Sequence, residues 1–183
     1  MNNRIPWDKY FMALAKLAAI RSGCNSRPTG AVIVLGKRVI ATGYNGSLPG
    51  QPQCTDNGPK YCHRRSLKVD DKGDKKYQEC PAIHAEQNAL NQITSLGGLG
   101  DLSGAKVYCT LQPCIMCLKN ISSVGIQSVF YEMKYHSDDK ERDDYWFRKA
   151  KEYKVKYKQI ELTNDDLQKI YKVLIGNTSQ RRL

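Results

Sequence analysis

Nowhere in the 183 residues is there an uninterrupted apolar run of about 18, the length a membrane-spanning helix needs. The opening stretch MNNRIPWDKYFMALAKLAAIRSG carries Lys16 inside its apolar segment and offers no small-residue cleavage site before Arg21, so it does not read as a signal peptide. A cytoplasmic protein is expected, in the host cytoplasm if the source is viral. Internal repeats and low-complexity tracts are missing too, which excludes a fibrous or wholly disordered chain. Acidic side chains are scarce: 18 Asp and Glu stand against 29 Lys and Arg, a formal net charge of +11. That imbalance is silent on fold but favours an anionic partner, whether nucleic acid, nucleotide or membrane surface. What remains is ordinary globular composition, 40% apolar and 26% charged, in a length suited to one domain with a sizeable core.

Seven cysteines are present: Cys24, Cys54, Cys62, Cys80, Cys109, Cys114 and Cys117. An odd number in a reducing compartment points to metal ligands, nucleophiles or core residues rather than to disulfides.

Residues 8–21, DKYFMALAKLAAIR, set Phe11, Leu14, Leu17 and Ala18 at helical spacing, with Asp8 available as an N-cap. GAVIVL and RVIATGY, split by Gly36-Lys37, predict a hairpin. Residues 51–80 hold three of the cysteines and almost no aliphatic side chain beyond Leu67 and Val69. A loop this long is either functional or tied down. AIHAEQNALNQITSL predicts a helix stopped by Gly97-Gly98. KVYCTL predicts a strand with Val107, Cys109 and Leu111 on one face, and PCIMCLKNISSVG a helix opened by Pro113. IQSVFYE reads as a strand, 138–151 as a polar helix, YKVKYKQI as a strand whose Lys154, Lys156 and Lys158 share a solvated face, and 163–173 as a last helix. Strands alternating with helices imply parallel βαβ units added to the antiparallel hairpin, an α/β fold.

The residues with the clearest chemistry are His84, Glu86, Cys114 and Cys117, written HAE and, after a strand, PCIMC. Two cysteines at i and i+3 in a first helical turn share a face and can reach one ion, and a helix N-terminus favours their thiolates. With His84 as third ligand, zinc keeps one open position for water, the pattern of a catalytic site. Glu86, two residues from His84, is then the natural proton shuttle. The two converge only if the helix end itself faces the metal, and Pro81 is compatible with a helix starting there. Taken singly, the cysteine pair could be a zinc knuckle or redox pair, and His84 a hydrogen-bonded core histidine. Together, HxE before a strand and PCxxC after it match the zinc deaminase signature.

These segments resemble the cytidine and deoxycytidylate deaminase superfamily. HAEQNAL is similar to the HAExNAI of deoxycytidylate (dCMP) deaminases and TLQPCIMC to their TLxPCxxC. YFMALAKLAAIRS with GAVIV, GYNGSLPG and the KYH at Lys134 to His136 match the same branch, in the same order, over residues 7 to about 150. The extra cysteines before HAE are those of the bacterial and phage type, with a second zinc. The resemblance implies a three-layer α/β/α cytidine-deaminase-like fold on a mixed five-stranded sheet, in a domain of residues 1–160 followed by a C-terminal helix and tail, 161–183. It implies hydrolysis of dCMP to dUMP and ammonia by a zinc-activated water with Glu86 as shuttle, supplying dUMP for thymidylate synthesis. Asn45 would contact the sugar, and the backbone around Ala85 and Cys114 would hold the base. Asn88 would be either a substrate contact or an internal structural hydrogen bond, and Tyr135 a pocket wall or a core tyrosine. A homohexamer is implied, with dCTP and dTTP as effectors accompanied by Mg.

The insertion at 51–80 cannot bury enough apolar surface to offset its ordering entropy, and a closed zinc site would supply the missing free energy. By position its ligands are Cys24, Cys54, Cys62 and Cys80, with His63 an alternative to Cys62; Cys109 reads as core. Charge is uneven: residues 1–50 hold seven Lys or Arg against Asp8 alone, whereas 81–133 hold two against three acids. That suits a nucleotide whose phosphate lies away from the zinc, with Arg21 and Arg27 flanking the mouth. Two other readings compete: a deaminase acting on nucleic acid such as tRNA adenosine or cytidine, and a non-catalytic zinc module binding nucleic acid. The absence of an aromatic platform for stacked bases argues against polymer binding.

Overall fold

The inner strand β1 (Gly30–Leu35) is apolar almost throughout because both its faces are covered. Ala31 and Ile33 join one core cluster, Val32 and Val34 the other. The computed structural model describes residues 4–67, 79–98, 100–135 and 140–179. β1 and β2 (Arg38–Tyr44) form the expected antiparallel hairpin, turning at Gly36, whose φ of 62° favours glycine. The sheet continues through β3 (Ala105–Leu111), β4 (Ser128–Met133) and β5 (Lys156–Gln159) in the order β2-β1-β3-β4-β5. β1 runs antiparallel to β3, and β3, β4 and β5 are mutually parallel. This is the mixed five-stranded α/β sheet expected.

Helix α1 (Trp7–Ala19) covers one face with Phe11, Met12 and Ala15 against Val32, Tyr108 and Phe130. The short helix α2 (His63–Ser66) lies in the insertion. On the opposite face α3 (Ala85–Ser95) and α4 (Ile115–Ser123) bury Ala89, Leu90, Leu118 and Ile121. α5 (Lys140–Glu152) adds Ala150 to that face. Two glycines set the spacing of the layers: a Cβ on Gly30 would meet the Ala15 carbonyl oxygen at 2.0 Å, and one on Gly43 the Ala85 carbonyl oxygen at 2.1 Å.

Several local expectations need correction. Asp8 does not cap α1: the helix begins at Trp7 after Pro6, and Asp8 in its first turn accepts the buried Tyr108 hydroxyl at 2.6 Å. Pro81 and Pro113 do not open helices, because α3 starts at Ala85 and α4 at Ile115. Lys154 stands before β5 with φ 56°, so only Lys156 and Lys158 belong to that edge strand. Residues 68–78 of the insertion, 138–139 of the polar helix and His136 lie outside the described residues.

The last helix, α6 (Asn164–Ser179), runs past the expected end at 173 and starts on a reciprocal cap. The Thr163 amide and hydroxyl donate to Asp166 Oδ2, and the Asp166 amide donates to Thr163 Oγ1. Lys9 on α1 completes the cluster with an ion pair to Asp166. Burial opposes ionisation of Asp166, but Lys9 and Thr163 outweigh it and lower its pKa to about 2. A depressed carboxyl stabilises the fold above its unfolded pKa and loses that contribution as pH falls. Thermal melts between pH 5 and pH 2 should therefore show a stability loss in the native chain that Asp166→Asn lacks. At neutral pH Thr163→Ala should cost about 1 kcal/mol.

Candidate metal centre and pocket

Two helix N-termini converge at the carboxyl ends of β3 and β4. His84 is the N-cap of α3, in extended conformation at φ −68°, ψ 151°, and Cys114 is the N-cap of α4 at φ −72°, ψ 169°. Because His84 precedes the first helical turn and Glu86 lies within it, residues two apart reach the same point, as the motif requires. The backbone of Ile83 pairs with Gly46 in both directions, which ties the GYNG segment to the residue before His84. His84 Nδ1 lies 3.6 Å from Cys114 Sγ and 3.3 Å from Cys117 Sγ. Among the described residues this is the group of metal-type donors whose ligand atoms all fall within 4.8 Å of one another.

The protonation pattern follows from that closeness. Hydrogen bonds from Cys117 and His84 lower the pKa of the Cys114 thiol, while the bond to Cys114, with burial, raises that of Cys117. His84, bonded to Cys114 and close to Glu86, is pushed up to about 9 despite burial. Protons thus occupy the space between three donors, where a cation would displace them. Two thiols and an imidazole fit zinc, and three protein ligands leave it one further position. Glu86 is 4% exposed; burial raises its pKa, and the neighbouring His84 charge opposes that.

The centre opens into a cavity of about 600 Å³. Of the residues singled out from sequence, Asn45, Ala85, Tyr135 and Arg27 line it. The Arg27 guanidinium lies over the Tyr135 ring, 4.6 Å from its centroid. Asn45 also organises the adjoining loop: its Oδ1 accepts Ser22 Oγ at 2.6 Å and the Thr29 amide at 2.8 Å, and its Nδ2 donates to the Arg27 carbonyl at 2.9 Å. Asn88 does not line the cavity; its Nδ2 donates to the Tyr44 carbonyl at 2.7 Å, the structural alternative. Arg21, exposed after the end of α1, is not brought to the mouth.

Arg64, Gln112 and Trp146 also line the cavity and were missed in the sequence. Arg64 and Trp146 come from the insertion and from α5, where nothing in the local pattern marks a pocket residue. Gln112 stands inside the TLQPC match, but at its variable position.

Four of the five other cysteines, Cys24, Cys54, Cys62 and Cys80, border adjoining cavities without reaching common ligand distance among the described residues. Cys24, Cys62 and Cys80 line the main cavity. Cys54 and His63 border a neighbouring cavity of about 270 Å³, where Cys54 Sγ accepts the His63 amide at 3.5 Å. Asn25 pins this turn by donating to the carbonyls of Cys54, Gly58 and Tyr61. Cys109 is fully buried in the core, as expected.

Residues 5–133 match the model of the cytidine and deoxycytidylate deaminase zinc-binding region. The chain is 43% identical to ComE operon protein 2 of Bacillus subtilis over 133 residues, 72% of this chain and 62% of that protein. It is 40% identical to the deoxycytidylate deaminase of Schizosaccharomyces pombe over 135 residues, 74% of this chain and 39% of the other. The deoxycytidylate deaminase of Mycobacterium phage D29 is 39% identical over 133 residues, 70% of this chain and 96% of the phage protein. The matched region therefore spans less than two thirds of the first two relatives but nearly all of the phage protein. The crystal structure of the dCMP deaminase from cyanophage S-TIM5 shares the fold, with a TM-score of 0.60 at 23% identity, covering 84% of this chain and 96% of that one. With the HAE and PCIMC donors together at one cavity and the family match running through both, the chain belongs to the cytidine and deoxycytidylate deaminase zinc-binding family.

Proposed function

We propose that the protein hydrolyses dCMP to dUMP and ammonia, supplying dUMP for thymidylate synthesis. The observation that carries this reading is one cavity with the His84, Cys114, Cys117 and Glu86 group as well as Arg27 and Arg64. Such a cavity suits a base to be deaminated and an anionic group beyond it. The deoxycytidylate deaminases among the relatives agree with it.

His84, Cys114 and Cys117 would hold zinc, which supplies Lewis acidity and lowers the pKa of water to about 7. Glu86, shielded from solvent, takes the proton of the attacking water and passes it to N3 of the pyrimidine as the C4–O bond forms. It then takes the remaining proton from the new C4 hydroxyl and delivers it to the exocyclic amine, so that the C4 carbonyl forms as the C4–N bond breaks and ammonia leaves. The buried Ala85 backbone borders the base, and Asn45 holds the loop bearing Arg27 and faces the sugar. Arg27 and Arg64 receive the phosphate, with Tyr135 as the wall behind Arg27.

A second, structural zinc on Cys24, Cys54, Cys62 and Cys80 is part of this reading. Cys80 is raised first by burial and then by nearby Cys24 and Cys54, which supports their grouping. His63 Nδ1 meets the Tyr61 hydroxyl at 3.3 Å, which leaves its Nε2 open and keeps His63 as the alternative to Cys62. A homo-oligomer regulated by dCTP and dTTP is the corresponding assembly.

Turnover of dCMP, dCTP, cytidine and an RNA hairpin, each followed by ammonia release, tests the substrate. dCMP should be the preferred substrate, and added dCTP should change the shape of its saturation curve. Faster turnover of the hairpin would overturn the reading.

A further inference from the structure

Gln112 joins the two ends of the cavity. It lies between β3 and the metal-donor Cys114, is 4% exposed, and anchors its own backbone by donating to the Met133 carbonyl at 2.8 Å. Its side-chain Oε1 accepts the Tyr135 amide at 3.0 Å. The next residue, Pro113, is gripped from the other side, its carbonyl accepting the Tyr157 hydroxyl at 2.8 Å. The Gln112 Nε2 lies buried beside that hydroxyl without a well-aligned hydrogen bond. The loop that carries Cys114 is thus clamped to the loop that carries Tyr135, whose ring lies under Arg27.

We infer that Gln112 is a positioning residue: through the Tyr135 amide it sets the Tyr135 and Arg27 wall relative to the metal centre, and so governs productive binding of the substrate's anionic end. This rests on the dCMP reading above. Among the described residues the hydrogen bonds of Gln112 run to Tyr135 and Met133 and not to the metal donors or Glu86, so its loss should be felt in KM rather than in kcat. The interaction at stake is one part-buried hydrogen bond to a main-chain amide.

Gln112→Leu keeps the volume and removes the acceptor, whereas Gln112→Glu keeps an acceptor oxygen in either protonation state. The Leu variant should raise KM for dCMP about tenfold, the scale of one lost hydrogen bond, with kcat within about threefold and zinc content unchanged. The Glu variant should recover most of that loss. Amide exchange followed by NMR should show the Tyr135 amide losing protection in the Leu variant and keeping it in the Glu variant. An unchanged KM in the Leu variant, a fall in kcat at constant KM, or a Glu variant no better than Leu would each overturn the inference. A wild-type chain that does not turn over dCMP would instead overturn the functional reading. Tyr135 exchange needs no substrate and decides the clamp even then: undiminished protection in the Leu variant refutes it.

Discussion

Glu86→Gln should lower dUMP formation by about 10²- to 10⁴-fold while leaving zinc in place. The substitution is nearly isosteric in a side chain that is 4% exposed, so packing is preserved and only the ability to accept and return a proton is lost. His84, whose pKa the Glu86 charge helps to raise, would release its proton more readily in the variant, so metal binding should not weaken. Native mass spectrometry of wild type and variant should both give two zinc ions per chain, one for each proposed site. Activity within tenfold of wild type would remove Glu86 from the mechanism. One zinc ion per chain would remove the second site and leave the first intact.

Gly43→Ala, with Gly30→Ala, should be among the most damaging small substitutions in the hairpin, and it is the one that bears on the metal centre. A Cβ there falls 2.1 Å from the Ala85 carbonyl oxygen and 2.5 Å from the Ala89 amide nitrogen, both main-chain atoms that no rotamer change can move. α3 would have to shift, and with it His84 at its N-cap and Glu86 in its first turn. Destabilisation of about 3 kcal/mol is expected, lowering Tm by roughly 6–12 °C. A displacement near 1 Å at the reacting groups should reduce kcat/KM by about 10²-fold. Gly104→Ala is the control, because its Cβ would meet Leu35 Cδ1 at 3.6 Å, ordinary contact. It should melt within about 0.5 kcal/mol of wild type. Equal damage from the two substitutions would mean that β2 and α3 are not held at this spacing.

Local pattern carried much of the fold. The hairpin, the alternation of strands and helices and the His84, Cys114 and Cys117 set are all legible, because hydrophobic period, Gly turns and donor spacing are properties of short windows. The misplaced helix starts share one cause. A proline was read as the first helical residue, but His84 and Cys114 themselves occupy the N-cap positions, each in extended conformation. Asp8 failed as a cap for a different reason: the Tyr108 hydroxyl, 100 residues away, claims its carboxylate. No window containing Asp8 alone could reveal that partner.

The sequence by itself determined the family, the α/β class and the donor set of the centre, since HAE and PCIMC carry His84, Cys114 and Cys117 in their own spacing. Tertiary structure decided which other residues share the cavity. It brought Arg64 from the insertion and Trp146 from α5 to the same cavity, turned Asn88 towards the Tyr44 carbonyl, and left Arg21 outside. These outcomes depend on how separate segments pack across the sheet, and a hydrogen-bonding or charged side chain takes whichever partner that packing presents.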